Sequence, residues 1–144
     1  MRIYAICLLM LAASLAAFAD ETPAQLATRA DSAPLDQQPA LYLKAAHLQL
    51  KDVDTLYDQG KIEDATNAVK LLTEYADKDS DTSIRSGKKL KNAEIEFRKI
   101  ASRLTNIQHS LSFDDQAPVK SAAAHLEELR TKLLARMFSK DKKK

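Results

Sequence analysis

Apolar residues recur at helical spacing through the second half of the chain. From Leu90 to Leu111 they alternate three and four residues apart, and most positions between them are polar. This spacing places one narrow apolar stripe along an α-helix, the pattern by which one helix packs lengthwise against another. Because the stripe must be buried, the rest of the chain is expected to supply helices that cover it. Its members are Leu90, Ala93, Phe97, Ile100, Leu104, Ile107 and Leu111.

Three further segments with this spacing complete a set of four predicted helices, at 39–59, 62–78, 82–111 and 118–138. Gly60 is expected to end the first of them, since glycine adopts the left-handed conformation that closes a helix. The connection to the second helix is so short that the two must form an antiparallel hairpin. The predicted inner positions are Leu41, Ala45, Leu48, Val53 and Leu56, with Tyr42 and Tyr57 flanking; Ile62, Ala65, Val69, Leu72 and Ala76; and Val119, Ala122, Leu126, Leu129, Leu133 and Met137.

The segment 77–83 permits two interpretations. Its Ser, Thr and Asp residues favour helix caps over helix interiors, which predicts a break with Ser80 or Asp81 as the next N-cap. The apolar register nevertheless continues through the segment, where only Ser83 is polar in a series spaced seven apart. We expect the break, because folding back joins two apolar seams into one core. The predicted fold is an all-α, up-down antiparallel four-helix bundle; the alternative is one long helix over 62–111 flanked by two antiparallel helices.

The connection between the first two helices resembles that of a known repeat. The residues that carry the resemblance are Leu56, Gly60, Ile62, Ala65 and Val69. They are similar to the turn of a tetratricopeptide hairpin, where a small residue lets the second helix close onto the first. The resemblance covers about 48–72, lacks the family's closing proline, and does not recur one repeat period later. It implies a helical hairpin and carries no peptide-binding role to this chain.

The first nineteen residues have the layout of a secretory signal peptide. Arg2 gives a positive start, Ile3–Phe18 is almost wholly apolar, and small residues at Ala17 and Ala19 fit a signal-peptidase site. We expect cleavage before Asp20 and export to the periplasm or the medium. The alternative is a segment retained as a membrane anchor.

The bundle domain is assigned to 39–138. Within 20–38, Thr22 and Pro23 are typical of a helix start, so a short helix is predicted there. A mobile linker is expected to follow, because 31–39 contains two prolines and several turn formers. Residues 139–144 are predicted to form a basic disordered tail.

Charge is nearly balanced over the body of the chain. The formal net charge is +2, and residues 20–139 alone sum to −2. A nucleic-acid-binding fold carries excess positive charge on a folded face, so no nucleic-acid partner is expected. Weak contact with an anionic envelope surface, such as lipid headgroups, is one interpretation of the lysines; ordinary solvated side chains are the other. The lysines in question are Lys88, Lys89, Lys91, Lys142, Lys143 and Lys144.

The chemistry-bearing residues form no recognisable reactive set. His47, His109 and His125 do not share a helix at the spacing of a metal-binding pair. His125 with Glu128 supplies only one part of the carboxylate-bridged centres found in helix bundles. Cys7 lies in the predicted signal peptide, so the mature chain is expected to have no thiol. We therefore predict no catalytic residue, no cofactor and no metal site.

These observations favour a non-catalytic function. The predicted role is an exported helical scaffold or adaptor that binds a protein partner, or a second copy of itself, in the cell envelope. The alternative is a carrier that holds a small ligand or a metal in the bundle interior. The tyrosines at 42, 57 and 75 are expected to border the core.

Overall fold

The computed structural model describes residues 20–139, which form five α-helices and no strand. The predicted all-α fold is therefore confirmed. The predicted signal peptide and residues 140–144 of the predicted tail lie outside the described residues. The helices are α1 (Pro23–Asp31), α2 (Gln38–Asp58), α3 (Ile62–Ser86), α4 (Leu90–Ser110) and α5 (Gln116–Ser139), with a 3₁₀ turn at Phe113–Asp115 before α5.

Helix α1 starts at a complete capping box. The Thr22 hydroxyl accepts a hydrogen bond from the Gln25 N–H at 3.2 Å, and the Gln25 side chain accepts one from the Thr22 N–H at 2.9 Å. On its inner face Leu26 and Ala30 are fully buried and belong to the core. Helix α1 therefore belongs to the folded body, although the sequence pattern placed this segment outside the bundle.

The end of α1 is fixed to two other helices. The Asp31 carboxylate accepts a hydrogen bond from the Tyr42 hydroxyl of α2. The same carboxylate lies 3.3 Å from the Lys78 ammonium of α3, which in turn sits 5.4 Å from the centre of the Tyr42 ring. The expected mobile linker is thus reduced to a short turn between two anchored helices.

Helices α2 and α3 form one antiparallel hairpin, closed at Gly60 as predicted. Gly60 has φ +71°, its N–H donates to the Tyr57 carbonyl, and the Lys61 N–H donates to the Leu56 carbonyl at 2.9 Å. This pair of bonds is the helix-ending motif that a left-handed glycine permits. Helices α4 and α5 form the second antiparallel hairpin.

The two hairpins stack so that helices running in the same direction face each other. On one side, His47 of α2 lies 2.9 Å from Glu96 of α4, and Arg103 of α4 makes two hydrogen bonds to Asp54 of α2, at 2.7 and 2.9 Å. Both partners advance by seven residues between the two contacts. Helices α2 and α4 are therefore parallel and in register.

The other side of the stack repeats this arrangement with α3 and α5. The Asp77 carboxylate lies 2.6 Å from His125 Nε2, and further along both helices Arg136 Nε donates to the Ile84 carbonyl at 3.3 Å. Helices α3 and α5 are therefore also parallel. Consecutive helices of the bundle are antiparallel, as predicted. Contacts between helices determine which parallel helices lie against each other, and helical spacing in the sequence does not reveal these contacts.

The predicted break at 77–83 is wrong, because the polar side chains there are satisfied within a continuous helix. The Thr82 hydroxyl donates to the Lys78 carbonyl at 2.7 Å, and the Ser83 hydroxyl donates to the Asp79 carboxyl at 3.1 Å. The local hydrogen bonds that were expected to stop the helix therefore form inside it.

The helix ends instead at Gly87, which has φ +68° and whose N–H donates to the Ser83 carbonyl at 2.8 Å. The chain then reverses direction before α4 begins at Leu90. The alternative of one helix over 62–111 is therefore wrong as well.

The predicted core faces are confirmed for α3, α4 and α5, except that Ile62, Leu111 and Met137 are only partly buried. On α2 the prediction is confirmed for Ala45 and Val53, which are fully buried. The rest of the buried face differs from the prediction, because Tyr42, Gln49 and Tyr57 are buried whereas Leu41, Leu48 and Leu56 are only partly so. The reason is that α1 packs against α2 and covers a side of α2 that the predicted hairpin left exposed to solvent.

One ion pair also differs from expectation. The spacing of four residues predicts a pair of Glu94 with Arg98 on an outer helix face, but the Glu94 carboxylate lies 2.6 Å from the Arg130 guanidinium of α5, and both side chains are mostly buried. Among residues 20–139, no helix is both long and apolar enough to cross a bilayer.

Candidate functional site

An open groove of about 380 Å³ runs between the first halves of α3 and α5. Its floor contains Val69 and Ala122, which belong to the apolar core. Hydroxyl and charged side chains surround this floor, so the groove combines apolar contact with hydrogen-bonding groups. The polar lining consists of Thr66, Lys70, Thr73, Asp77, Ser121 and His125.

A charged cluster closes one end of the groove. His125 Nε2 lies 2.6 Å from the Asp77 carboxylate, and Nδ1 lies 3.7 Å from Glu128. The two carboxylates face opposite ring nitrogens and do not converge on one point. Within residues 20–139 no three His, Cys, Asp or Glu side chains are grouped so as to hold a metal ion. The cluster links α3 to α5.

The partner of His125 was missed in the sequence because it comes from another helix. Helical spacing finds Glu128, three residues away, since both lie on one face of α5. Asp77 lies 48 residues away, and its approach follows from the parallel packing of α3 on α5. No local pattern carries that information.

One end of the molecule, here called the turn end, contains Gly60 and the 3₁₀ turn. Phe113 stands in this turn with 89% of its surface exposed, the highest value among the large apolar residues described. Pro118, five residues further on, lines the groove. The ring itself lines a separate depression with Asp114, Gln116, Ala117 and Lys120, and none of these residues lines the groove.

The turn that carries Phe113 is held by its own hydrogen bonds. The Ser112 hydroxyl donates to the Asp115 carboxylate at 2.7 Å, and the Asp115 N–H donates to the Ser112 carbonyl at 3.0 Å. The Gln116 side-chain amide donates to the Leu111 carbonyl at 3.1 Å. These bonds fix the position from which the ring projects.

The opposite end, here called the basic end, holds the three predicted lysines that lie within the described residues. Lys88, Lys89 and Lys91 are exposed around the connection from α3 to α4. Helix α5 also finishes at this end, at Ser139. The other three predicted residues, Lys142, Lys143 and Lys144, lie outside the described residues and follow Ser139 in the sequence.

Lys89 has an unusual backbone conformation. Its φ is +60°, the left-handed region that favours glycine, and it is the only non-glycine residue with positive φ among those described. Each such residue costs of order 1–3 kcal/mol unless its surroundings require it. Helical spacing does not predict this feature, because it arises from the reversal of the chain between two helices.

The interior contains one carboxyl group without a charged partner. Asp79 is 1% exposed; one of its oxygens accepts the hydrogen bond from Ser83, and the other has no hydrogen-bond partner within the described residues. Burial raises the pKa of Asp79 to about 7, against a smaller opposing effect of the Ser83 hydrogen bond. This group was missed because its segment was assigned to a helix break.

The tyrosines at 42, 57 and 75, which were predicted to border the core, are buried within it. Burial raises the pKa of all three phenols, and at Tyr42 the Asp31 carboxylate adds to the effect. These rings contribute to the core and do not form an exposed aromatic groove.

Comparisons of this chain with protein-family models, with curated proteins and with solved structures gave no match.

Proposed function

We propose that this chain is a non-catalytic helical adaptor, exported to the cell envelope, that binds a protein partner at its turn end. The observation that carries the proposal is the exposed ring of Phe113, which projects from the turn end. Removing a phenylalanine side chain from water is favourable by about 1.5–3 kcal/mol, and a partner that covers Phe113 gains this free energy.

The rigidity of the turn supports the same proposal. Ser112, Asp115 and Gln116 hold the turn through three hydrogen bonds, so little conformational entropy is lost when a partner binds. Aromatic residues are enriched in protein interfaces, and they contribute most where polar groups surround them. Asp114, Gln116 and Lys120 line a depression together with the ring and supply such a surround.

Photo-crosslinking in the cell tests this proposal. A benzophenone amino acid is placed at Asp114, an exposed neighbour of Phe113, and in a control chain at Leu71, which is 41% exposed on α3 and does not line the groove. We expect position 114 to give one discrete protein adduct that position 71 does not give. An adduct of twice the chain mass identifies the partner as a second copy.

The contribution of Phe113 is measured in the same experiment. With the crosslinker at position 114, Phe113→Ala removes the ring and should reduce the adduct at least tenfold while the far-ultraviolet dichroism stays unchanged. An adduct that is equally abundant with and without the ring, or the same adducts from positions 114 and 71, contradicts the proposed site.

A further inference from the structure

We propose that the basic end, defined by Lys88, Lys89, Lys91 and Phe138, binds an anionic lipid surface. This contact is separate from the protein contact proposed for the turn end, and neither depends on the other.

The lysines at this end are available to bind an anionic group outside the molecule. Lys88, Lys89 and Lys91 are exposed, and none of them takes part in an ion pair within residues 20–139. Nearby Arg85, by contrast, is paired with Asp81 at 3.0 Å. Each lysine held near an anionic membrane adds about 1 kcal/mol, which is about fivefold in partitioning.

Two segments that are distant in sequence meet here. Arg136 of α5 donates to the Ile84 carbonyl near the end of α3, so the last turn of α5 lies beside the connection from α3 to α4. Phe138 is in that last turn, and the lysine-rich end of the sequence continues directly from it. Phe138 and the three described lysines therefore share one end of the fold.

Phe138 distinguishes lipid from other anionic partners. Its side chain is 63% exposed at the same end of the fold as the lysines. An exposed aromatic ring and lysines on one end suit the boundary between headgroups and acyl chains, where the ring inserts while the ammonium groups remain among phosphates. An acidic polysaccharide offers charge but no apolar layer for the ring.

Acidic groups at this end do not cancel the positive charge. Asp36 is exposed and lines the same shallow depression as Lys89, where it offsets part of that lysine's charge, because Arg29 in the same depression is paired with Glu21. Asp81 is already paired with Arg85, and Asp31 with Lys78. Lys88 and Lys91 add charge beyond these balanced groups.

The backbone at Lys89 supports a role for its side chain. Glycine would adopt φ +60° without the cost that any other residue incurs, as it does at Gly87 two positions earlier. Strained conformations of this kind tend to occur where function requires a particular side chain. A lysine here places a cationic side chain on the connection, beside the shallow depression that Asp36 also lines.

The test is a flotation assay with the chain as recovered from the exporting cell, using phosphatidylcholine vesicles with and without phosphatidylglycerol. We expect binding only to the anionic vesicles, weakening as salt rises. The triple variant Lys88→Gln, Lys89→Gln, Lys91→Gln should bind about a hundredfold more weakly.

The matched control neutralises three exposed lysines elsewhere, Lys51→Gln, Lys61→Gln and Lys120→Gln, and its vesicle binding should weaken at most a few-fold. Equal losses in both triple variants overturn the assignment of the site.

Two single variants separate this account from misfolding and from simple charge attraction. Lys89→Gly should raise the melting temperature, because it relieves the left-handed lysine, yet lower vesicle binding about fivefold. Phe138→Ser should weaken vesicle binding but leave binding to dextran sulfate unchanged. Unaltered vesicle binding by either variant contradicts the proposal, whereas the crosslink from position 114 reports separately on the turn end.

Discussion

Asp79 allows a quantitative test of the core. Its pKa is raised by burial from an ordinary 3.8 to about 7. Between these values the folded chain keeps a proton that the unfolded chain has released, so stability falls as the pH rises. This contribution is fully present below about pH 4 and is lost above about pH 7. At about 1.4 kcal/mol per pH unit, the loss amounts to about 4 kcal/mol.

The perturbation is Asp79→Asn, which keeps the shape and the acceptor for Ser83 but cannot ionise. Urea unfolding followed by dichroism gives the free energy of unfolding of both proteins at intervals from pH 4 to 8. We expect the variant to gain about 4 kcal/mol relative to the natural chain across this range, whatever constant cost the amide itself imposes.

Asp81→Asn is the matched control, since Asp81 is exposed two residues further along the same helix. Its difference from the natural chain should change by less than about 1 kcal/mol over the same range. If the curves of the natural chain and Asp79→Asn run parallel from pH 4 to 8, the carboxyl is hydrated and the described burial is incorrect.

Three further substitutions test the packing. Phe97→Ala removes a fully buried ring and should lower the free energy of unfolding in urea by about 3–5 kcal/mol; a loss below about 1 kcal/mol would place the ring at the surface. Gly60→Ala has open space for its Cβ, so only the positive φ opposes it, and we expect a thermal-unfolding loss of about 1 kcal/mol. A double-mutant cycle on Asp54 and Arg103 should give a favourable coupling of about 0.2–1 kcal/mol, since the pair is partly exposed, and zero coupling would contradict the α2–α4 contact.

The buried face of a helix was predictable where one apolar stripe packs against one neighbouring part of the core. The stripe of α4 is buried as its spacing indicates, because α4 has a single buried side. The buried face of α2 was not predictable from its spacing. Helix α1 covers a second side of α2 and buries Tyr42 and Gln49. The break near 80 was misplaced because hydroxyls that cap helices can also hydrogen-bond inside them, as Thr82 does.

Only those features of the candidate sites that depend on local sequence composition were predictable. Lys88, Lys89 and Lys91 stand out as a cluster in the sequence, but that they share one end of the molecule with Phe138 follows from the tertiary fold. The exposure of Phe113 likewise depends on the tertiary fold, in which the helices do not cover its side chain.

The most direct test of the central claim is the orientation of the molecule on a membrane. An environment-sensitive dye is attached in a Cys7→Ser background to Ser139→Cys at the basic end or to Asp114→Cys at the turn end, both exposed positions. On adding phosphatidylglycerol vesicles, the account predicts a blue-shifted emission from position 139 and none from position 114. A shift at position 114, or equal shifts at both positions, would contradict an adaptor that meets lipid with one end and leaves the other free for a protein.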